Sequence, residues 1–510
     1  MTISTAVDLT RVSRVVGYKL KNARFDVTTP YLPQRIDVFA EANTANQSTL
    51  DNDPFEFINA SEVGEKAGYG SPAYQIARII RPITGNILGG IPTVMHLIDS
   101  DGGATEGVYK LGIAVATSVT ANATHKVVIN GRDNIDGQSF AYNVVVGDSA
   151  ADVRSKIIDA INAVLGSPVT AAENVTDIDL TSKWGGATAD LTVRIDTGDV
   201  AAGIVYSEVS NTAGTGTVDI SGALANIGEN WSTILVNQFG PAQFSALETW
   251  NGVPDPDNPT GRYISTIFKP LIALFGEVDP DKADIITITD AAARKDQVTN
   301  VLCPAPNSEG FKWEAAANMA AIWAPIAQNI PHTNIGGKSY LDMPIPEDED
   351  IGDFSDYDAR DYMAKRGAST VNLVNGKYTV QDFVTTYHPD SEPVPKFRYV
   401  RDLNIDWNMG YKWILIMLND IQDKAIVSGD IPVRVGDTIS PKQVKQLIIS
   451  HVQQAEAEAL IIDADFSIDS IQVGVNQSNP ARLDIFFRYK RSSTANIVST
   501  DVEVDFAYTI

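Results

Sequence analysis

The sequence predicts a multidomain protein that combines the α/β and α+β classes, and three observations lead to this prediction. Strand-like and helix-like segments alternate in the central part of the chain, which is typical of a partly parallel sheet. Residues 112–227 interrupt this part with a composition rich in small and β-branched residues and poor in aromatic ones. Both ends of the chain alternate apolar and polar residues, the pattern of a half-buried strand.

Length and composition limit the classes of protein to be considered. The chain has 510 residues, of which 44% are hydrophobic and 20% charged, so we expect a globular protein. A net charge of −25 argues against nucleic-acid binding, because phosphate contacts need a basic surface. The apolar runs are shorter than the ~18–20 residues of a membrane helix, so no membrane insertion is expected. We also expect no signal peptide, and the single Cys303 suits a reducing cytoplasm.

The first part of a central α/β domain is predicted over residues 24–111. Residues 35–40 and Thr93–Ile98 read as strands, and residues 61–68 read as a short helix. Ser71 is the predicted cap of the next helix because Pro72 follows at its first position. His96, within the second strand, is expected to be packed and hydrogen-bonded rather than a ligand.

The region 112–227 is predicted to be an inserted, self-contained and mostly β domain. Asn130-Gly131 and Asp136-Gly137 are turn signals between strand-like runs. One helix interrupts the strands; Asp148 or Ser149 is its predicted cap, and an apolar stripe follows over residues 153–164. The predicted strands cover residues 126–130, 140–146 and 191–195.

The central domain is predicted to resume over residues 228–390. Residues 283–289 read as a strand, Asp290 and Ala291 as the start of a short helix, and residues 298–303 as a second strand that buries Cys303. An alanine-rich helix at 314–327 and a second helix at 358–366 are predicted next. Strands are predicted at Thr370–Val374 and 378–384.

A C-terminal α+β domain is predicted over residues 391–490. A long helix is expected at 403–426, and Ser440-Pro441 begins a second helix that extends to about residue 460. Strands at 468–475 and 483–489 end the domain, and the linker 491–496 leads to the last segment.

The two ends of the chain are predicted to be strand arms, over residues 1–23 and 491–510. The apolar positions alternate with polar ones in both arms. Such a strand can close its own domain's sheet or add to a neighbour's sheet. Proteins normally suppress exposed edges, so two such arms favour exchange with neighbours. The proposed contact residues are Val498, Val502, Val504, Phe506 and Tyr508 in the C-terminal arm and Ile3, Val7 and Leu9 in the N-terminal arm.

The sequence offers weak support for chemistry. Gly337-Lys338-Ser339 lacks the leading glycine of a phosphate-binding loop, and residues 133–137 fit a hairpin turn better than a calcium loop. The acidic residues between 348 and 358 are compatible with a divalent ion but fit a solvated loop better. We therefore assign no catalytic residue, no cofactor and no metal.

Several segments of the chain carry a family resemblance. In the predicted central domain they are residues 288–300 (ITDAAARKDQVTN), Trp313–Ala321 (WEAAANMAA) and 375–387 (NGKYTVQDFVTTY). In the C-terminal domain the segment is 482–490 (RLDIFFRYK), and in the insertion the segments are 147–153 and 180–186. These segments resemble the tail sheath proteins of contractile-tailed phages, especially the Mu-like type.

The resemblance implies a structural subunit that stacks in sixfold rings around an inner tail tube. The C-terminal domain would form the polymerising layer, completed by strands from neighbouring subunits, and Lys442 and Lys445 are candidate contacts to the tube. Baseplate and tail terminator proteins would be further partners. The subunit would be assembled in the host cytoplasm, lie in the virion tail and contract to drive the tube through the host envelope, as in genome ejection.

Two other functions remain open from the sequence. One is another strand-exchanging polymer, such as a surface-layer or appendage subunit. The other is an acidic α/β hydrolase, although no nucleophile–base set is evident.

Overall fold

Residues 30–48, 50, 53–82, 87–100, 102–428 and 436–502 are described by the computed structural model. Their contacts define two units. The larger unit contains the described residues of 32–410, 459–462 and 490–502, and the smaller contains residues 30–31 and those of 411–458 and 463–489.

The strands are numbered in chain order. They are β1 (Ile36–Glu41), β2 (Phe55–Glu56), β3 (Thr93–Ile98), β4 (Glu106–Val115), β5 (Ala123–Ile129), β6 (Asn134–Ile135), β7 (Gln138–Ser139), β8 (Ala141–Val144), β9 (Val169–Asn174), β10 (Asp177–Gly185), β11 (Val193–Asp196), β12 (Ile204–Thr212), β13 (Ile234–Asn237), β14 (Ile272–Glu277), β15 (Asn300–Pro304), β16 (Thr370–Val374), β17 (Lys377–Asp382), β18 (Ala425–Ile426), β19 (Thr438–Ile439), β20 (Ile461–Ile462), β21 (Gln472–Val475), β22 (Leu483–Phe486) and β23 (Lys490–Arg491).

The helices are numbered in the same way. They are α1 (Thr44–Gln47), α2 (Ala60–Ala67), α3 (Pro72–Ile80), α4 (Ala150–Ala163), α5 (Ser221–Ile227), α6 (Phe244–Asn251), α7 (Lys282–Thr289), α8 (Lys312–Asn329), α9 (Tyr357–Lys365), α10 (Val400–Ile416), α11 (Pro441–Ala457) and α12 (Ala464–Asp469). Short 3-10 turns lie at Gly240–Gln243, Gly261–Tyr263 and Gly352–Ser355, and a π turn follows α10 at Met417–Ile421.

A six-stranded sheet in the order β15-β14-β13-β1-β3-β2 organises the larger unit. All its pairs are parallel except that of β2 with β3. The chain leaves β1 toward β3 on one side and resumes with β13 on the other, so the order of strands reverses at β1. This confirms the predicted partly parallel sheet.

Helix α8 covers the sheet face that carries Val38, Val236 and Gly276, and it packs on β13, β14 and β15. Its alanines allow a close approach between helix and sheet. A Cβ added at Gly276 would lie 1.6 Å from the carbonyl oxygen of Lys312. The opposite face buries an apolar cluster that includes Phe39, Leu235 and residues of α5 and α6.

The inserted region contains a four-stranded antiparallel sheet, β12-β4-β10-β9, and a three-stranded one, β11-β5-β8. Ser149 forms a capping box with Asp152 at the start of α4, as the cap prediction anticipated. Asp136 and Gly137 have φ of 52° and 81° and join β6 to β7, which confirms a hairpin turn at this position. The predicted boundary at residue 112 falls within β4.

The inserted region is joined to the central domain by buried contacts. The Arg132 guanidinium donates to Asp342 Oδ1 at 2.7 Å and to Glu314 Oε2 at 3.2 Å. Trp184 is fully buried against the rings of Phe311 and Trp313. Because these partners belong to the predicted central domain, these contacts cross the predicted boundary of the insertion, and its independence as a domain stays a prediction.

The smaller unit has α11, α12, the hairpin β21–β22 and the residues that end α10. Ser440 forms a capping box with Gln443 at the start of α11, which confirms the predicted helix start. The rings of Trp413, His451 and Phe487 meet in one cluster, with centroids 5.7–6.3 Å apart.

Four predicted elements differ from the structure. Residues 283–289 belong to helix α7, because Asp281 Oδ1 accepts the Ala283 N–H at 2.7 Å and caps a helix there; turns follow, not the short helix predicted at Asp290. The strand predicted at 468–475 begins at Gln472, after α12. The long helix predicted to residue 426 ends as an α-helix at Ile416. A short apolar run is compatible with both the helical and the strand periodicity, so the residue that caps the segment decides which structure forms.

We predict that Gly276→Ala lowers the free energy of unfolding by ~1–3 kcal/mol or more, because the new methyl group would overlap the backbone of α8. Urea unfolding followed by circular dichroism measures this change. Gly222→Ala in α5 is the control, because a Cβ there meets nothing within 4 Å. The control should be neutral or gain ~0.4–1 kcal/mol, and equal stability of the two variants would contradict the close packing of α8.

Candidate assembly interface

Residues 493–502 form no helix or strand and pair with no strand among the described residues. Its apolar side chains face solvent: Ile497, Val498 and Val502 are 86%, 81% and 76% exposed. An unpaired apolar strand is a template for pairing with another chain. The predicted contacts Val504, Phe506 and Tyr508, and also Ile3, Val7 and Leu9, lie outside the described residues.

The hairpin β21–β22 is the clearest candidate to receive such a strand. It is paired only within itself among the described residues, so each strand keeps one open edge. The registers Val473↔Ile485 and Val475↔Leu483 place four apolar side chains on one face. Two-stranded sheets are marginally stable on their own, and added strands stabilise them.

The end of α10 also exposes apolar surface in the smaller unit. Residues 413–417 are apolar at five consecutive positions and are all only half-buried, and Leu418 is 55% exposed. Consecutive helical residues point in different directions, so no single neighbour can cover them all. A helix that is apolar all round is normally buried, which indicates that further contacts cover this one.

Lys442 and Lys445 lie in the first turns of α11 and are exposed. Neither forms an ion pair with a residue that the structure describes. Positive charges near the start of a helix oppose the helix dipole, so these lysines do not stabilise α11. The position therefore leaves them available to a partner.

The rings of His96, His125, His388 and His451 make structural contacts. His96 Nε2 lies 2.9 Å from Asp37 Oδ1 inside the sheet, as a packed histidine was predicted to do. Burial, together with the nearby Lys412 charge, lowers the pKa of His451 to about 4. Among the described residues, no histidine ring bonds a serine, threonine or cysteine side chain. Cys303 is buried, as predicted.

The acidic loop between residues 348 and 358 uses its carboxylates for backbone capping. Asp350 Oδ1 accepts the Gly352 N–H at 2.9 Å, and Asp356 accepts N–H groups at the start of α9. Asp353 receives the Lys282 N–H and side chain. No group of residues that could hold a metal occurs in the described ranges. Within these ranges, no helix has both the length and the apolar character to cross a membrane.

Glu41 ends β1, at the carboxyl edge where the strand order reverses, the usual ligand position in α/β sheets. Here the inserted region covers the carboxylate, which is 1% exposed. It accepts hydrogen bonds from Ser100 at 2.8 Å, from Thr188 of the insertion at 3.1 Å and from Gln238 at 2.8 Å. Burial raises the pKa of Glu41 to about 7, against a usual value of 4.5. Sequence reasoning did not single out Glu41; its only signal is one acid at the end of an apolar strand.

We predict that Glu41→Gln raises the free energy of unfolding at pH 8 by up to ~3 kcal/mol. Because burial raises the pKa of Glu41 to about 7 in the folded protein, ionisation destabilises the fold above pH 7. That penalty disappears as the pH falls from 7 to 4.5, so the variant and the parent should converge there. Urea unfolding at intervals between pH 4.5 and 8 measures the difference.

Glu65→Gln is the matched control, since Glu65 is exposed on α2. Its unfolding free energy should stay within ~0.5 kcal/mol of the parent at every pH. A constant difference between Glu41→Gln and the parent across this range would contradict the buried, proton-binding role of Glu41.

Comparisons with known proteins give no family assignment. No family model matches the chain, and no curated protein sequence matches it. The solved structures similar to it include the sheath tail protein from Desulfitobacterium hafniense, with a TM-score of 0.41 and 11% identity over 94% of this chain and 100% of that one. The contracted helical sheath of the anti-feeding prophage gives a TM-score of 0.44 and 8% identity, over 97% of this chain and 100% of that one. TM-scores below 0.5 do not establish a shared fold.

Proposed function

We propose that this chain is the structural subunit of a contractile tail sheath, which polymerises helically around an inner tail tube by exchanging β-strands. The observation that carries the proposal is the described part of the C-terminal segment, residues 493–502, whose apolar side chains are exposed and whose backbone has no strand partner among the described residues. The segments of sequence that resemble Mu-like sheath proteins give the proposal its specific form.

Strand exchange would satisfy both halves of the interface at once. The incoming strand would gain backbone hydrogen bonds at an open edge of β21–β22, and its apolar side chains would leave water. The half-buried residues at the end of α10 offer further apolar surface for the contact. A net charge of −25 keeps free subunits apart, so assembly depends on these short-range contacts.

In this proposal the subunits form sixfold rings that stack along the tube, between a baseplate and a tail terminator. The sheath is assembled in the host cytoplasm, lies in the virion tail and contracts to drive the tube through the host envelope. Electron microscopy of the purified full-length protein tests the architecture. Helical tubes support a sheath, whereas flat arrays or thin fibres indicate a surface-layer or appendage subunit, and discrete particles contradict polymerisation.

We predict that deletion of residues 497–510 leaves a folded subunit that forms no tubes. The described residues from Ile497 onward are exposed, so their loss should leave the thermal unfolding midpoint unchanged. Electron microscopy and sedimentation measure assembly, and circular dichroism measures folding. Normal tubes from the deletion would reject strand exchange through this arm.

Two single substitutions in the full chain sharpen this test. Val502→Asp places a charge on the apolar face of the arm and should prevent assembly, whereas Ser499→Asp adds the same charge to the opposite face and should not. Equal assembly of the two variants would show that assembly does not depend on which face of the arm carries the charge.

We predict that Lys442→Glu/Lys445→Glu abolishes sheath assembly on tail tubes, because in the proposed sheath α11 presents these lysines to acidic groups of the tube. Co-assembly with purified tubes, followed by electron microscopy, measures the effect. The matched control is Lys338→Glu/Lys377→Glu, which changes the net charge equally at exposed positions of the larger unit. Unchanged assembly of the first variant, or equal loss in both, would reject a tube contact at α11.

A further inference from the structure

The last residues before the C-terminal arm are held by a short antiparallel ladder within the larger unit. β23 pairs with β20 in the registers Ile461↔Arg491 and Ile462↔Lys490. The Ser492 N–H then donates to the Leu460 carbonyl oxygen at 3.0 Å. Leu460 and Ile461 are buried, so the ladder is anchored in packed structure and not at a loose edge.

The buried guanidinium of Arg401 binds Ser492, the residue that follows this ladder. Arg401 is 3% exposed and lies near the start of α10. It donates to the Ser492 carbonyl oxygen at 2.8 Å and to Ser492 Oγ at 2.6 Å. Its remaining bonds go to the His332 carbonyl oxygen at 2.6 Å and to Asp402 Oδ1 at 2.7 Å. A planar donor with this many fixed partners orients the residue it binds.

A second arginine joins the same network from the arm side. Arg491 NH1 donates to the Lys396 carbonyl oxygen at 2.7 Å, and the side chain lies 3.7 Å from Asp402 Oδ2 and 3.4 Å from Asp406 Oδ1. Asp402 therefore bridges Arg401 and Arg491. Burial raises the pKa of Asp402, and the charges of Arg491 and Arg401 offset part of that rise.

The environment of the chain changes abruptly after Ser492. Residues 493–502 are all exposed, and their one backbone bond in the described structure is local, from the Asn496 N–H to the Thr494 carbonyl oxygen at 2.9 Å. Residues 493–497 run along a groove of about 900 Å³ without being buried in it. Among the described residues, Ser492 is thus the last one that is not exposed, although the sequence pattern placed the start of the connector at Arg491.

We propose that Arg401 and Arg491 anchor the C-terminal arm to its own subunit at Ser492. The use of the anchor rests on the proposed function, in which a neighbouring subunit pulls on the arm when the lattice moves. Force along the arm then reaches Arg401, which distributes it to α10 and to the loop at His332.

Hydrogen–deuterium exchange of the free full-length subunit tests the anchor without requiring assembly. We expect the Ser492 amide to exchange at least ~100-fold more slowly than the amides of residues 497–502. Ser492→Ala keeps this amide but removes the hydroxyl bound by Arg401, and should reduce its protection by ~10-fold. Ser493→Ala is the matched control and should leave the protection of Ser492 unchanged.

Arg401→Met provides an independent test in which the ladder keeps its own hydrogen bonds. The β20–β23 amides should lose protection while the strands of the central sheet keep theirs; this internal comparison separates loss of the anchor from general unfolding. Ser492 exchange in the parent as fast as that of residues 497–502, or equal protection in Ser492→Ala and the parent, would overturn the anchor. A protected Ser492 in a protein that forms no tubes would instead contradict the proposed function and leave the anchor in place.

Discussion

An unpaired backbone strand is the constraint on which the interpretation of this molecule depends. Each peptide group in such a strand carries a donor and an acceptor that need partners when its side chains leave water. The C-terminal segment presents exposed apolar side chains and no strand partner among the described residues, and the hairpin β21–β22 presents open edges. Pairing between copies of the chain satisfies both, whereas a solvated arm satisfies its backbone but leaves the valines exposed.

In the larger unit, in contrast, the Glu41 carboxylate has hydrogen-bond partners at the sheet edge where α/β sheets usually bind ligands. The inserted region covers the carboxyl edge of the parallel sheet, and Glu41 there finds three hydrogen-bond donors from three different segments. Arg132 and Trp184 join the same region to the central domain through a buried ion network and an aromatic cluster. At this sheet edge, the contacts connect the inserted region to the central domain, so the inserted region acts as part of the scaffold.

The sequence predicted those elements in which the local signals agreed. Ser71, Ser149 and Ser440 cap helices as expected, because each is followed by residues that complete the first turn. Residues 283–289 were misread as a strand because a run of threonine and isoleucine fits a strand as well as a helix, and the Asp281 cap outweighs the β-propensity. The ladder between β20 and β23 escaped notice because two-residue strands carry no periodic pattern.

The residues of the candidate interface differ in the same way: some have a local sequence signal and others have none. Alternation predicts the arms, because a period of two can be recognised without knowledge of the partner. The alternation gives no indication of Arg401, because this arginine acts by binding the carbonyl and hydroxyl groups of Ser492, which is distant in sequence. A polymer that exchanges strands needs both kinds of residue: apolar side chains that pair with a neighbour, and a buried charge that keeps the paired strand attached to its own subunit. An exchanged strand without such an anchor would transmit force only into its flexible connector.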